Sequence, residues 1–463
     1  MFPEGLIVSI SGIRGRVGVD LTPDRVARFA AAFGSYVQGQ GWGRDLVLAR
    51  DSRPSGPALL DAAAAGLASV GCRVCDLGLV PTPTALLEIE ERGLGGGIVI
   101  SASHNPREWN ALKLASSEGA FLTPEQGSEF LAGLREGRLP GYSDWDGFGA
   151  RDQVTGSVDR HIERILALDL IDQEAIAARS ISVAVDAGRG AGGVILPGLL
   201  KRLGCRVVEV EFEPDGRFTR DPEPVARNLE RLCEVVRREG AQLGMAVDPD
   251  VDRLALVDGR GRAIGEDYTL ALAARLVLSH RPGPVVTNLS TSQIVEEVTA
   301  RAGVELYRAP VGEAHVAVAM REKAAVIGGE GNGGVILPAL HHTRDAPLAM
   351  ALILQLLAEG DAGIGEIVAE YPQFHIVKDR VPRSELELDR LAGDIQKSFP
   401  NAEVDRRDGL YLRWASESLW LHIRPSGTEP IVRLIAEGLE SDEARILELI
   451  EVSKRIIQEG GGA

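Results

Sequence analysis

Short apolar runs alternate along the chain with longer segments in which Ala, Leu and Arg recur at helical spacing. LVLA (46–49), GIVIS (97–101), ISVAVD (181–186), LGMAVD (243–248) and GPVVTN (283–288) predict buried strands. PDRVARFAAAFGSYV (23–37), GPALLDAAAAGLASV (56–70) and PVARNLERLCEVVRREG (224–240) predict amphipathic helices. Strands and helices in alternation predict α/β layers on largely parallel sheets. Three segments share one grammar of apolar strand, Asp or Asn, small polar residues and helix: LVLARDSRPSG (46–56), SVAVDAGRGAGG (182–193) and PVVTNLSTSQ (284–293). That repeat predicts three copies of one α/β unit. The last ~90 residues differ. DGLYLRW, SLWLHIRP and PIVRLIAEG alternate like strands, with helices expected over 384–398 and 442–458, which predicts a smaller α+β domain on an antiparallel sheet.

Composition narrows the class. The 463 residues suggest three or four domains at roughly 150 residues each. The 50 basic and 67 acidic residues leave a net charge of −17, which argues against nucleic acid or an anionic membrane as the main partner. Four cysteines exclude a disulfide scaffold, and the single C-x-x-C at Cys72 and Cys75 lies in an apparent strand where packing explains it. No apolar run reaches the ~18 residues of a membrane span. MFPEGLIV lacks the basic start of a signal peptide. A cytoplasmic protein is expected. Only six of the basic residues are Lys, so a lysine in a polar region stands out.

Four segments carry chemistry. In GIVISASHNPREWNALKL (97–114), a buried strand ends at Ser101, and Asn105 and Pro106 force an exposed polar loop. The Ser103 hydroxyl then sits at the carboxyl end of a strand, where α/β sheets place ligands. Lys113, expected in the same loop region, could act as acid or base when desolvated, as arginine could not. In MAVDPDVDRLALVDG (245–259), Asp248, Asp250 and Asp252 alternate, so extended backbone would put them on one face. Three such carboxylates repel unless a hard cation neutralises them, and Mg²⁺ fits. An EF-hand is rejected, because Arg253 follows the third Asp and Gly259 takes the twelfth position. In IGGEGNGGVI (327–336), glycines surround Glu330 and Asn332, a loop able to approach a polyol closely. In HIRPSGTEPIVR (422–433), Arg424, Ser426, Gly427 and Thr428 offer the donors of a phosphate loop, with Arg433 on the next strand. SISGIRGRVG (9–18) adds two arginines among glycines. Hydroxyl nucleophile, magnesium site, polyol loop and phosphate grip together suggest phosphoryl transfer.

In the order SGIRG, SASHNP, DPDVDR, GEGNGG and RPSGTEP, these motifs resemble the α-D-phosphohexomutase family over essentially the whole chain. LARDSRPSG (48–56), VPTPT (80–84) and DGRF with PEP (215–224) are similar to family segments too. The resemblance implies a heart-shaped molecule of three related mixed α/β domains and a C-terminal α+β domain around a central cleft. The expected bounds are 1–150 with the phosphoserine loop, 151–256 with the metal loop, 257–370 with the sugar loop and 371–463 with the phosphate loop. It implies that Ser103 carries the phosphoryl group, and that Asp248, Asp250 and Asp252 hold one Mg²⁺ with a phosphoserine oxygen. Arg253 would assist, Lys113 and His104 would be the acid/base pair with Arg14 close by, and Glu330 and Asn332 would contact sugar hydroxyls. Arg424, Ser426, Gly427, Thr428 and Arg433 would hold the second phosphate. A hexose or hexosamine 6-phosphate and 1-phosphate would interconvert through a 1,6-bisphosphate, which also serves as activator, in a monomer or homodimer. Pro249 and Val251 stand where glycines are common, Asn332 where Ser is usual, Gly334 where His is often found, Arg189 where Asn is, and Ala314 where a basic residue is. EGNGG resembles archaeal-type members, and SASHNP is a spelling seen in phosphoglucosamine mutases. The alternatives are a magnesium-dependent phosphatase, for which D-x-D-x-T fails at Asp252, and a sugar-phosphate-binding protein without catalysis.

Overall fold

The structure, a computed structural model, describes residues 5–9, 12–137, 141–382, 387–426 and 431–460. Its strands form four sheets. In the first, Gly96–Ile100, Asp45–Arg50, Arg73–Leu79 and Arg151–Gln153 run parallel. Trp109–Ala115, Gly12–Arg16 and Ile7–Ser9 continue the sheet antiparallel. The second sheet is Leu254–Asp258, Leu243–Val247, Ser182–Asp186 and Arg206–Val210, parallel except for the first strand. The third is Leu306–Ala309, Val285–Asn288, Ile327–Glu330 and Gly334–Ile336, parallel except for the last. The fourth is fully antiparallel, in the order Phe374–Pro382, Ile431–Leu439, Leu419–Pro425, Leu410–Trp414, Glu403–Asp405.

The three α/β sheets share a device that positions the site. A central strand (Asp45–Arg50, Ser182–Asp186 or Val285–Asn288) pairs in parallel with a second strand, which then turns back into an antiparallel neighbour. The Ser103, Asp248–Asp252 and Glu330–Asn332 loops occupy these three turns. The repeated segments in the sequence are the central strands, one strand away from the loops that carry the chemistry.

One continuous core joins the second and third units, including Leu196, Met245, Val285 and the helix Ala346–Ala358, apolar throughout except for Gln355. The fourth has its own core around Val381, Leu421, Leu434 and Ile446. Cys72 and Cys75 are free and buried, each in a different core of the first unit. Burial pushes the Cys72 thiol up to about 11. No described helix is long and apolar enough to cross a membrane.

Some expected elements differ. The helix expected over 224–240 starts only at Glu230, after a single 3₁₀ turn at Ala226–Asn228. The Asn228 amide donates to the Glu223 carbonyl, a local bond that competes with helix. Of the helices expected over 384–398 and 442–458, the second runs Glu443–Gly460, and the first runs Leu388–Ser398, with 384–386 outside the described residues. Arg151–Gln153, expected in the second unit, pairs with Arg73–Leu79 at the edge of the first sheet. Leu254–Asp258 straddles the expected bound at 256.

Candidate active site

Ser103 is not exposed as the loop pattern suggested. It is 3% accessible, and the loop reaches solvent at Pro106–Glu108. Its hydroxyl donates to Asp248 Oδ2 at 2.7 Å and lies 3.3 Å from His104 Nδ1. Ser103 adopts a left-handed backbone, φ 49°, costly for a residue with a Cβ. A buried network holds it there. Its N–H donates to Ser101 Oγ (3.0 Å), and the Ser101 hydroxyl donates to Asp51 (2.7 Å). Arg53, fully buried, donates to the carbonyls of Ser103, Asn105, Pro106 and Trp109 at 2.6–3.0 Å and pairs with Asp51 at 3.1 Å. One planar guanidinium thereby satisfies four loop carbonyls that burial would otherwise orphan.

Asp248, Asp250 and Asp252 converge, each buried, with oxygens within 4.8 Å of one another. The cause is not alternation along extended backbone. The chain turns after Val247, and Val251 is left-handed at φ 65°. The N–H groups of Asp252 and Arg253 donate back to Asp248 Oδ1. The first unit braces the turn: Thr82 N–H donates to the Asp250 carbonyl (2.9 Å), and the Thr82 hydroxyl to its carboxylate. Lys113 belongs to the strand Trp109–Ala115 rather than the loop, and that register delivers Nζ to 2.6 Å from Asp250 Oδ2 and 3.6 Å from Asp252 Oδ2.

Charge is divided unevenly. Burial raises Asp248 well above the usual carboxylate range, and Asp252 and Asp250 push it further. Burial also acts on Asp250 and Asp252, but Lys113 beside the first and Arg344 and Lys113 beside the second hold both low. The same acids hold Lys113 above its ordinary range against the effect of burial. His104 is held well below its ordinary value, by burial first and then by Arg253, Arg14, Arg344 and Lys113. Asp250 Oδ1 and Asp252 Oδ1 are buried without a hydrogen-bond partner. Converging carboxylate oxygens left unsatisfied fit a hard divalent cation. Arg253 lies beside the cluster, its Nε 3.7 Å from Asp252 Oδ1.

Glu330 ends a strand whose antiparallel partner begins at Gly334. Its carboxylate accepts from Asn288 Nδ2 (2.8 Å), Gly312 N (3.0 Å), Arg344 Nη1 (2.8 Å) and Asn332 Nδ2 (3.4 Å). Arg344 also reaches Asp252 Oδ2 at 2.6 Å and Glu313 at 3.1 Å, linking the Glu330 loop to the Asp248–Asp252 loop. A Cβ at position 334 would lie 2.2 Å from Arg344 Cδ, so glycine there clears the path of this side chain. Arg344 carried no signal of its own in HHTRDAP. Arg53 lies in a segment read for the internal repeat and the family resemblance, and Thr82 in one read for the resemblance alone; neither stands out there as a site residue.

A cleft of about 1100 Å³ carries Arg14, His104 and Asn105 among its lining, and Lys378, Arg380 and Arg433 from the fourth sheet. Arg14 Nη1 donates to Asn105 Oδ1 at 3.3 Å. Arg424 Nε lies 3.0 Å from Asp408, and Ser426 N–H donates to the Ile431 carbonyl. Gly427 and Thr428 lie outside the described residues.

Family models match in four consecutive stretches. They are described as phosphoglucomutase/phosphomannomutase alpha/beta/alpha domains I (residues 6–137), II (159–261) and III (265–374), and the C-terminal domain (377–451). The chain is 35% identical over 461 residues to a protein named probable phosphoglucosamine mutase from Methanopyrus kandleri, covering 98% of this chain and 99% of that one. It is equally 35% identical over 463 residues to a phosphoglucomutase/phosphomannomutase from Thermococcus kodakarensis, with the same coverage. The crystal structure of a phosphoglucomutase/phosphomannomutase family protein from Burkholderia thailandensis superimposes with a TM-score of 0.86 at 28% identity, covering 100% of this chain and 99% of that one. Four domains and these matches define a phosphohexomutase, an isomerase of the phosphotransferase kind. The chain belongs to the phosphoglucomutase/phosphomannomutase family.

Proposed function

We propose that Ser103 gives and retakes the phosphoryl group as the enzyme interconverts the 1- and 6-phosphates of a hexose or hexosamine. The observation that carries this is the Ser103 hydroxyl bonded at 2.7 Å to a buried carboxylate cluster with two unsatisfied oxygens. Asp248, Asp250 and Asp252 would hold Mg²⁺, which when bound offsets charge on the moving phosphoryl group. In the forward step a sugar hydroxyl attacks the phosphorus of phosphoserine. A sugar O–P bond forms, and the bond to Ser103 Oγ breaks. His104, kept neutral, takes the sugar proton, and Lys113, kept charged, is the proton donor that compensates the departing serine oxygen. The 1,6-bisphosphate then turns over and returns its other phosphate to Ser103, with the protons reversed. Arg14 and Arg253 flank the transferred group, while Arg424, Ser426, Gly427, Thr428 and Arg433 hold the other phosphate.

Glu330 already accepts from four donors, about the capacity of a carboxylate. The Asn332 contact is the longest, so a sugar hydroxyl would replace it, leaving Asn332 to bond the sugar itself. Glucosamine is the first candidate sugar, with mannose and glucose next, since the relatives carry both names. The test is the rate of conversion of glucosamine, mannose and glucose 1-phosphates to their 6-phosphates, with and without bisphosphate activator and Mg²⁺. Conversion with activator, with label from the bisphosphate on Ser103, is expected. Release of inorganic phosphate in place of the 6-phosphate, or label on an aspartate, would replace this reading with a phosphatase.

A further inference from the structure

The fourth sheet carries a row of three arginines. Arg380 lies opposite Arg433, and Arg433 opposite Arg424, across three hydrogen-bonded antiparallel strands. Residues directly opposed in antiparallel strands share a face, with Cβ atoms about 5 Å apart. Their sequence neighbours Val381, Val432 and Ile423 are buried in the domain's own core, so the row stands on the other face. That face looks into the cleft, where Arg380 and Arg433 line the space shared with Arg14 and His104.

Of the described acids nearby, Asp408 pairs with Arg424 at one end of the row, 3.0 Å from its Nε, while Glu266 takes Lys378 at 2.7 Å and Asp379 is turned to Lys454 at 2.8 Å. Arg380 is exposed, and among the described residues no carboxylate pairs with its guanidinium. Like charges placed directly opposite one another destabilise a sheet. Such a row, kept on a cleft wall of a protein with a net charge of −17, is complementary to a bound anion.

We infer that Arg380 is a phosphate-binding residue of the cleft and, with Arg433, takes the phosphate that is not being transferred. This deepens the mutase reading and rests on it for the identity of the ligand. The anion site itself rests on the register of the sheet. The Cβ atoms of the three arginines span about 10 Å, a longer base than one phosphate needs. The 1-phosphate and the 6-phosphate stand differently on the sugar ring, so a track of this length serves both binding orientations without rebuilding the site.

The experiment is calorimetric titration of inorganic phosphate into the whole protein and its Arg380→Ala, Arg380→Lys and Arg455→Ala variants. Arg455 is an exposed arginine on the C-terminal helix and controls for bulk charge. Arg380→Ala should weaken phosphate binding about tenfold, as expected for a charge-assisted hydrogen bond. Arg380→Lys should recover part of the loss, and Arg455→Ala should bind like the wild type. Melting in phosphate-free buffer should not fall in Arg380→Ala, since a like-charge neighbour is removed. Equal affinity in the wild type and Arg380→Ala, equal losses in both alanine variants, or no phosphate binding by the wild type overturns the inference. If Arg380→Ala loses phosphate but the wild type isomerises no hexose phosphate, the mutase reading fails and the anion site stands. If the wild type isomerises and Arg380→Ala binds phosphate normally, only the inference fails.

Discussion

Among the three clustered carboxylates, Asp250 has Lys113 and Asp252 has Arg344, while Asp248 is met by the Ser103 hydroxyl and two backbone N–H groups. Its charge is therefore the least compensated, which is why its proton is held most tightly. The consequence for stability follows from linkage. An acid whose value is raised in the folded state favours folding below its unfolded value, about 3.9, and loses that contribution as pH rises through the raised one. Asp248→Asn should therefore melt higher than the wild type in chelator at pH 8, by about 2 °C for a gain near 1 kcal/mol. The gap should narrow as the pH is lowered. Added Mg²⁺ should raise the wild-type melting temperature and leave the variant unmoved. Thermal melts across pH, with and without Mg²⁺, check this, and a variant that still gains stability from Mg²⁺ would remove Asp248 from the site.

At the level of elements, the strand pattern announced where two of the loops had to be, because buried apolar runs ending in Ser101 and Asp248 are unmistakable in sequence, whereas Glu330, part of a glycine loop by sequence, ends a strand of its own. It could not show how each loop bends. Val251 and Ser103 adopt left-handed backbone without being glycine, and that conformation is imposed by partners distant in the chain. Arg53 is 50 residues from Ser103, and Thr82 is 168 from Asp250. For the same reason Arg344 was illegible: its meaning lies in Glu330, Asp252 and Glu313, which meet only in the folded chain. The sugar-loop hairpin offers a test of that reading. Gly334→Ala puts a methyl where the Arg344 stem runs, and should cost about 1–3 kcal/mol in stability through overpacking. In an Arg344→Ala background the same substitution should cost almost nothing, a non-additivity expected of groups that collide. Denaturant unfolding of the four proteins measures the coupling, and additive effects would mean that the two positions do not compete for space.

On the scale of the whole molecule, the first three domains and the fourth are joined by different physics. The second and third share one apolar core. Buried Asp345 accepts from His161 at 2.7 Å and His341 at 2.8 Å, and His161 bonds Thr84 of the first unit, so three domains meet at one buried polar node. The fourth domain instead meets the third mainly through polar contacts: partly solvated Lys378 with Glu266 and Arg413 with Glu296, Ser290 with His422, and buried Glu437 accepting from the Gln293 N–H at 2.8 Å, around a small apolar patch of Leu289, Tyr411 and Trp420. Polar, partly solvated pairs exchange for water at little net cost, whereas opening the shared core would expose apolar surface. A hinge is therefore expected before the fourth domain, with its arginines as the handle by which a ligand would close it. Small-angle scattering with saturating glucose 1,6-bisphosphate should show a fall in the radius of gyration of the wild type. Arg424→Ala should lose most of that compaction and raise KM for the sugar phosphate about tenfold, because it removes a charge-assisted bond common to ground and transition states. Labelling of Ser103 by a small non-sugar phosphoryl donor needs no grip on a second phosphate and should be affected much less. Full compaction of Arg424→Ala would mean that closure is driven from the other side of the cleft, by Arg14 and the serine loop.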